Sequence, residues 1–284
     1  MRAWGEAQEN RPLQVHYTAP TVWAWRVGRA RKIARFLDYL LALFPFEPPY
    51  FEKEGLATTF VGHPIVTKGI EDSDAMAFRE KYGLANDQTL LCLLPGSRQG
   101  EISRLFPVFQ VVVERLQQDI PDLKVVIPVA PGCQETIQSL LGEAAWSPVF
   151  VETEMEKYQA MCASHAALAA SGTVALELGM ATCPTVIAYK MAPATAWIGR
   201  KLVKTPYVSL INILSQSLVM PELLQEACSV ENIVHHLKPL LSATPEREKQ
   251  VLDLQKARQS LSASVSKKPS TYAARSVLKV LEAC

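Results

Sequence analysis

The sequence predicts an α/β protein with one complete doubly wound domain, part of a second domain of the same kind, and C-terminal helices. Three observations lead to this prediction. Short apolar runs alternate with helical stretches from residue 89 onward, the same alternation occurs in truncated form before residue 65, and the sequence from residue 230 onward has helical periodicity. Strands that alternate with helices are typical of a parallel sheet with helices on both faces.

Residues 1–65 are predicted to form only part of a Rossmann-like domain. The alternating segments are LQVHYTAP, WRVGRARKIARFL, DYLLALFPF, FEKEGL and ATTFVGHP. A complete domain of this kind usually needs about 100 residues or more. We therefore expect this segment to supply roughly half of one such domain.

Residues 66–265 are predicted to form the complete Rossmann-like domain. Six short apolar runs bounded by Gly, Pro or Ser are expected to be its buried parallel strands. They are TLLCLLP (89–95), LKVVIPV (123–129), SPVFVE (147–152), AALAAS (166–171), PTVIAY (184–189) and YVSLINI (207–213).

Helical periodicity places the helices between and after these strands. Residues 107–118 carry apolar side chains at Phe109, Val112, Val113 and Leu116. A last helix within residues 266–284 is expected to pack back toward the N-terminal domain, because one face presents Ala273, Val277, Val280 and Leu281.

Composition and charge exclude several classes of protein. Hydrophobic residues make up 49% of the chain and charged residues 20%, which is ordinary for a globular protein and argues against disorder. Lys plus Arg number 29 and Asp plus Glu number 28, so the net charge of +1 predicts no general affinity for nucleic acid. Any binding of anions must therefore come from local clusters of residues.

The cysteines and the most apolar segment are interpreted as parts of a folded core. The six cysteines have no C-x-x-C pair and no histidine spacing suited to zinc, which indicates core residues in a reducing cytosol. Small residues and a proline divide residues 166–189 into strand and helix lengths, which argues against a membrane span. The opening MRAWGEAQENRPLQ has no apolar region, and no signal peptide is expected.

The junction Pro95-Gly96-Ser97-Arg98, after the first strand of the complete domain, is a candidate anion site. Ligands of open parallel sheets gather beyond the carboxyl ends of the strands. Gly96 would let backbone amides approach an anion, Ser97 would cap or donate, and Arg98 would offer a bidentate fork to phosphate oxygens. A glycine turn with a solvated arginine explains the same residues equally well.

A second junction, Ser171-Gly172-Thr173, is followed by Glu177. The residues three positions after Ser171 and Thr173 are apolar, which excludes a capping box. Glu177 is expected to face inward as a lone carboxylate, which is costly unless a donor reaches it. Two vicinal ribose hydroxyls would be such donors. Together the junctions predict a nucleoside diphosphate held by backbone amides and Arg98, with its ribose on Glu177.

Three further motifs have a functional and a structural interpretation. Asp72-Ser73-Asp74 has the D-x-D form of metal-dependent sugar transferases, but a helix start is favoured. His63 either faces a cleft or occupies a turn before a proline. Trp23 and Trp25 stand beside a basic run that begins with Arg26 and Arg29; a solvated helix face is favoured, with anionic lipid headgroups as the second interpretation.

Several blocks of the sequence match one known family. They are TVWAWR (21–26), LALFPFEPPYFEKEG (41–55), TFVGHP (59–64), LLPGSRQGEI (93–102), ASGTVALELGMATCPTVIAYK (170–190), and KLVKTPYVSLINIL with PELLQE (201–226). In order from about residue 15 to the C-terminus, they resemble the lipid-A-disaccharide synthase family.

The resemblance implies an inverting glycosyltransferase of the GT-B fold that acts in lipid A biosynthesis. Its reaction joins UDP-2,3-diacylglucosamine to 2,3-diacylglucosamine 1-phosphate and releases UDP, with no metal and no cofactor. By position, the resemblance implies diphosphate contacts from both junctions, a ribose contact from Glu177 and a place for Asn212 in the donor pocket. It also implies a cytoplasmic enzyme peripheral on the inner membrane, with the tryptophan and arginine segment facing the membrane, and a homodimer.

Two departures from the family pattern keep other functions open. Most of the family's N-terminal half is expected to lie outside this chain, and no residue of 1–64 replaces the acidic general base found there. Ser215-Gln216-Ser217-Leu218 stands where the family has a small-Gly-Arg-Glu run. The alternatives are another UDP-sugar enzyme of the GT-B fold, such as an epimerase or a peptidoglycan-type transferase, and a non-catalytic UDP-sugar-binding or membrane-associated remnant.

Overall fold

The computed structural model describes residues 12–25, 28–191, 205–263 and 268–282. Its internal contacts divide the chain into two compact units. The first unit includes the chain up to Lys68 and again from Gln259 onward. The second includes the described residues from Gly69 to Met191 and from Tyr207 to Arg258.

The described elements alternate between strands and helices along most of the chain. The strands are β1 (Val15–Tyr17), β2 (Tyr39–Ala42), β3 (Ala57–Phe60), β4 (Leu90–Leu94), β5 (Lys124–Pro128), β6 (Val149–Val151), β7 (Ala166–Ala169), β8 (Thr185–Tyr189) and β9 (Glu222–Leu224). The α-helices are α1 (Val22–Trp25), α2 (Gly28–Ile33), α3 (Pro48–Glu52), α4 (Ala75–Lys81), α5 (Gln99–Asp119), α6 (Gln134–Leu141), α7 (Glu154–Ala163), α8 (Val174–Met180), α9 (Leu210–Ser215), α10 (Val230–Leu237), α11 (Pro245–Ala263) and α12 (Pro269–Glu282). Short 3-10 helices cover Pro64–Thr67, Gln225–Ala227 and Lys238–Leu241.

The first unit contains a three-stranded parallel sheet in the order β1-β2-β3. Tyr39 of the central strand pairs with Val15 on one side and Ala57 on the other. Leu40 of β2 and Phe51 of α3 are fully buried in one apolar cluster, so helices cover this sheet as they cover larger parallel sheets. The predicted alternation of strands and helices is confirmed in the described residues of this unit.

The helix α12 also belongs to the first unit, where it packs against the 3-10 helix Pro64–Thr67. Ser276 is buried on this helix and Val277 is half-buried. Leu281, predicted to lie on the same apolar face, is 54% exposed. The packed face therefore ends before the last turn of the helix.

The second unit contains a six-stranded parallel sheet in the order β6-β5-β4-β7-β8-β9. The chain runs outward from β4 to β6, then returns to place β7 on the other side of β4. Leu91 of β4 accordingly pairs with Val125 of β5 and with Ala166 of β7. A reversal of strand order opens a crevice beyond the carboxyl ends of the two strands that flank it. The predicted doubly wound domain is confirmed.

Burial on both faces of this sheet explains why its strands are continuous apolar runs. All five residues of β4 are buried, and α5 covers one face with fully buried Phe106 and Phe109 at helical spacing. Burying one such side chain completely contributes about 1.5–3 kcal/mol to folding. The rigid layer formed in this way fixes the loop that follows β4.

The predicted strand at residues 207–213 is wrong. This segment leads into α9, with Ser209 as N-cap, and the sixth strand is β9. The carboxylate of Glu222 accepts hydrogen bonds from the amides of Val208, at 2.9 Å, and Ser209, at 2.7 Å. A side chain of β9 therefore satisfies the backbone donors that a strand would have used in the sheet.

Candidate functional site

A cavity of about 390 Å³ lies beyond the carboxyl ends of β4, β5, β6 and β7. It sits where the strand order reverses and has the size of a small-molecule site. Its walls come from four strand ends and the segments that follow them. They are Leu94, Gly96, Ser97 and Glu101 at β4, residues 128–131 at β5, residues 151–154 and Lys157 at β6, and residues 170–174 and Glu177 after β7. Gly96 and Ser97 of the first predicted junction and all three residues of the second thus line one cavity.

The loop after β4 has a backbone shape that glycine favours. Gly96 has φ +124°, and Arg98 is the extended N-cap of the 21-residue helix α5. The amide of Ser97 donates to Glu101 Oε2 at 3.1 Å. A carboxylate already accepts a hydrogen bond in this loop, which indicates that the loop amides suit an anion.

Arg98 is exposed and is not among the residues that line the cavity. Its positive charge acts on Tyr189, where it opposes a rise in the tyrosine pKa that burial and a hydrogen bond with Glu101 produce. Arg98 therefore lies near the Glu101 end of the loop, with its guanidinium in solvent.

The turn after β7 forms a second wall of the cavity. Ser171, Gly172 and Thr173 line it, and Gly172 has φ +153°. Thr173 is the N-cap of α8 but makes no capping hydrogen bond with its side chain. The hydroxyls of Ser171 and Thr173 have no hydrogen bond with the described residues, so both can meet a ligand.

Glu177 also lines the cavity, but it is not a lone carboxylate. Lys157 Nζ donates to Glu177 Oε1 at 2.8 Å, and Tyr158 OH lies 3.5 Å from the same oxygen. The expectation that Glu177 is a lone carboxylate was therefore wrong. The second oxygen, Oε2, accepts no hydrogen bond from the described residues, and it remains available to hydroxyl groups of a ligand.

The cavity carries an excess of negative charge among its described lining residues. Four of these residues are carboxylates and one, Lys157, is a cation; the carboxylates are Glu101, Glu152, Glu154 and Glu177. A diphosphate entering this cavity needs cationic compensation beyond Lys157, because like charges at short range repel. Arg98 is exposed beside the same loop and is a candidate for that role.

Asn212 lies outside the described lining of the cavity. Its side chain is fully buried, and Oδ1 accepts hydrogen bonds from Val219 N at 2.9 Å and Met220 N at 2.8 Å. Its Nδ2 donates to Met220 O at 2.8 Å and to Glu222 Oε1 at 2.7 Å. These bonds join α9 to β9 and give Asn212 a structural role.

His63 and Asp74 both act as caps. His63 Nδ1 accepts a hydrogen bond from Ile65 N at 3.1 Å at the start of the 3-10 helix Pro64–Thr67, and burial lowers its pKa. Asp74 Oδ1 accepts one from Ala77 N at 2.9 Å at the start of α4. The turn and helix-start interpretations account for both residues.

Trp23 is a core residue, which corrects its assignment to a lipid-facing surface. It is only 6% exposed, and its indole Nε1 donates to Glu47 Oε1 at 3.3 Å. Glu47 is itself buried and also accepts hydrogen bonds from the amides of Leu43 and Phe44, while burial raises its pKa. A buried carboxylate needs such donors, so it holds the indole inside the unit.

The remaining residues of the predicted lipid-facing segment are only partly covered by the structure. Arg29 is exposed on α2. The side chain of Trp25 and the whole of Arg26 lie outside the described residues.

Sequence reasoning missed Glu101, Lys157 and the loops after β5 and β6. The rule that ligands gather beyond strand ends applies to VAPG (129–132) and ETE (152–154) as well as to the two glycine-containing junctions. Lys157 lies one helical turn after Thr153, the N-cap of α7. Residues four apart lie on the same face of a helix, so this spacing could have placed Lys157 near the start of α7.

No group of three or more His, Cys, Asp or Glu side chains suited to a metal ion occurs among the described residues. Within the same part of the chain, no helix is long and apolar enough to cross a membrane.

Comparison with known sequences shows the family to which this chain is similar. Residues 6–276 match the family described as lipid-A-disaccharide synthetase. A lipid-A-disaccharide synthase from Rhodospirillum centenum is 47% identical, over 84% of this chain and 59% of that protein. One from Paramagnetospirillum magneticum is 43% identical, over 87% and 64%, and one from Myxococcus xanthus is 38% identical, over 94% and 68%. The chain thus spans less than two thirds of the first two relatives.

Solved structures share the fold at low sequence identity. The Staphylococcus aureus MnaA–UDP co-structure has a TM-score of 0.57 at 15% identity, over 88% of this chain and 61% of that one. The UDP-GlcNAc 2-epimerase from Neisseria meningitidis bound to UDP-GlcNAc has a TM-score of 0.52 at 11% identity, over 95% and 69%. At these identities the likeness establishes the fold alone, which is that of the GT-B enzymes.

Proposed function

The chain belongs to the lipid-A-disaccharide synthase family, and from this membership we propose that it forms the UDP-sugar donor-binding part of such an enzyme. The observation that carries the proposal is the shared cavity. Gly96 and Ser97 on one wall, and Ser171, Gly172, Thr173 and Glu177 on another, meet where the strand order reverses. That position in a doubly wound sheet is where nucleotides bind.

The proposed donor is UDP-2,3-diacylglucosamine. Backbone amides of the Gly96–Ser97 loop, at the N-terminus of α5, would meet the diphosphate. Ser171, Gly172 and Thr173 would approach it from the other wall. The free oxygen of Glu177 would accept hydrogen bonds from the ribose hydroxyls.

The proposed reaction is an in-line displacement at the anomeric carbon of the donor. A hydroxyl of 2,3-diacylglucosamine 1-phosphate forms the new bond, the bond to UDP breaks, and the hydroxyl proton passes to a general base. Negative charge develops on the departing UDP, and donors aimed at it lower the barrier. Arg98 would swing from solvent to supply the charge that the acidic cavity lacks. No general base is assigned here among the residues that the structure describes.

An enzyme whose substrates carry acyl chains is expected to act at a membrane surface. We propose a cytoplasmic protein that is peripheral on the inner membrane, with Arg29 available for anionic headgroups. A homodimer is also proposed, because open edges of a short parallel sheet favour association.

Calorimetric titration with UDP, together with a turnover assay using both acylated sugars, tests the proposal. Binding of UDP is the expected result. Disaccharide formation would support a complete transferase, whereas UDP binding with no product would support a donor-binding part that lacks the base. Failure to bind UDP at millimolar concentration would overturn the proposal.

A further inference from the structure

We propose that Lys157 is a positioning residue for nucleotide recognition: it holds one oxygen of Glu177 so that the other faces the ribose hydroxyls. The inference deepens the proposed function and rests on it. Lys157 would account for the preference of the site for a ribonucleotide over a deoxyribonucleotide. It would do so without touching the sugar.

The contact between the two residues divides the carboxylate into a bound and an open oxygen. Lys157 Nζ lies 2.8 Å from Glu177 Oε1, and both side chains line the cavity. They are only 26% and 19% exposed, so water screens the pair less than it screens a surface pair. Oε2 has no hydrogen bond with the described residues, which leaves it as the acceptor for hydroxyl donors.

Lys157 is itself held from a second direction. Its Nζ lies 4.8 Å from the centroid of the Tyr158 ring, within the range of a cation–π interaction. Tyr158 is buried, and its hydroxyl donates to Glu154 Oε1 at 2.6 Å. Lys157 therefore links α7 to α8 beside the cavity through two contacts.

A direct contact between Lys157 and the diphosphate is the competing role. If the ammonium left Glu177 for the phosphates, Glu177 would be a carboxylate without a cation in a cavity that also contains Glu101, Glu152 and Glu154. Removing one partner of a half-buried ion pair is costly because the other is left unpaired. The geometry therefore favours positioning over phosphate contact.

The test compares the affinities of UDP and 2′-deoxyuridine diphosphate for the full chain by calorimetry. The wild-type protein should prefer UDP by about tenfold, as loss of one hydrogen bond to a charged acceptor predicts. Lys157→Met should reduce this preference to less than about threefold, because Glu177 is no longer oriented. Lys157→Arg keeps the ion pair and should keep the preference.

Lys238→Met is the matched control, because it breaks a surface pair with Asp119 of the same 2.8 Å length outside the cavity. It should leave both affinities unchanged. If Lys157→Met does not fold, the neutral and polar variant Lys157→Gln takes its place. It should show the same reduced preference for UDP over 2′-deoxyuridine diphosphate. A Lys157 variant that weakens both nucleotides equally and keeps the preference would overturn the positioning role. Wild-type protein that binds neither nucleotide would instead overturn the proposed function.

Discussion

The carboxylate of Glu101 lies directly against Gly96. A Cβ added to Gly96 would come within 2.2 Å of Glu101 Oε2, the same oxygen that accepts the Ser97 amide. The positive φ of Gly96 disfavours a larger residue, and the Cβ of such a residue would also push the Glu101 side chain away. The loop after β4 is thus shaped around a carboxylate, and an incoming diphosphate must displace Glu101 or bind beside it.

Replacing Gly96 tests this packing. Gly96→Ala should lower the free energy of unfolding by about 1–3 kcal/mol, because the new Cβ is strained at φ +124° and pushes Glu101 away. Urea unfolding measures the change. Gly28→Ala is the control: nothing lies within 4 Å of its added Cβ, and alanine favours the helix α2, so stability should be unchanged or higher. Equal stability of Gly96→Ala and wild type would contradict the observed contact.

Much of the complete domain was predictable, because strands buried on both faces must be continuous apolar runs. Leu90–Leu94 and Thr185–Tyr189 lie within segments predicted from short apolar runs bounded by Gly, Pro or Ser. The strand predicted at residues 207–213 was wrong. The carboxylate that accepts hydrogen bonds from this segment belongs to Glu222, and no local sequence pattern reveals that contact.

Part of the site was also predictable from a local sequence pattern. Small residues after β4 and β7 indicated the two walls that meet in the cavity. The Lys157 partner of Glu177 and the Glu47 partner of Trp23 could not be read from the sequence, because each depends on a contact between distant segments. The local sequence around a tryptophan beside arginines does not show whether its side chain faces lipid or is buried.

Asn212 is expected to act on stability and not on nucleotide binding. Asn212→Ala should lower the free energy of unfolding by about 2–4 kcal/mol, since it leaves buried donors and acceptors of residues 219–222 unpaired. The affinity for UDP should change less than about twofold. Asn232→Ala, which removes an exposed amide bonded to Ala227 O, is the control and should have a small effect. Weakened UDP binding with unchanged stability would place Asn212 in the donor pocket instead.

Gln216 offers a stabilising substitution. It is the C-cap of α9 with φ +50°, a left-handed conformation that glycine adopts without steric cost. Gln216→Gly should raise the free energy of unfolding by about 0.5–1 kcal/mol. Ser215→Gly, one residue earlier inside the helix, should lower it by a similar amount, about 0.5–1 kcal/mol. Thermal unfolding should show changes in stability of opposite sign for the two variants. A loss of stability in Gln216→Gly would contradict the prediction.

Glu156 makes stability depend on acid pH. Hydrogen bonds from Lys81, Tyr82 and Thr153 lower its pKa to about 2, against a usual value of 4.5. A lowered folded-state pKa contributes stability that is complete above pH 4.5 and is lost as the pH falls toward 2. Because Lys81 is 60% exposed and screened, the contribution should be about 1 kcal/mol.

Urea unfolding of Glu156→Gln and wild type between pH 7 and pH 2 measures this contribution. The variant should be less stable at pH 7, and the two proteins should converge at the acid end. Glu143→Gln, which changes an exposed residue, should follow the wild-type curve. A constant difference between Glu156→Gln and wild type at every pH would contradict the assignment.

The most direct test of the proposed donor site is a crystal structure of the protein with UDP. We expect a diphosphate within hydrogen-bond distance of the backbone amides at residues 97 and 172–173, and ribose hydroxyls at Glu177 Oε2. Density for UDP outside the cavity between β4 and β7, or a ribose turned away from Glu177, would contradict it.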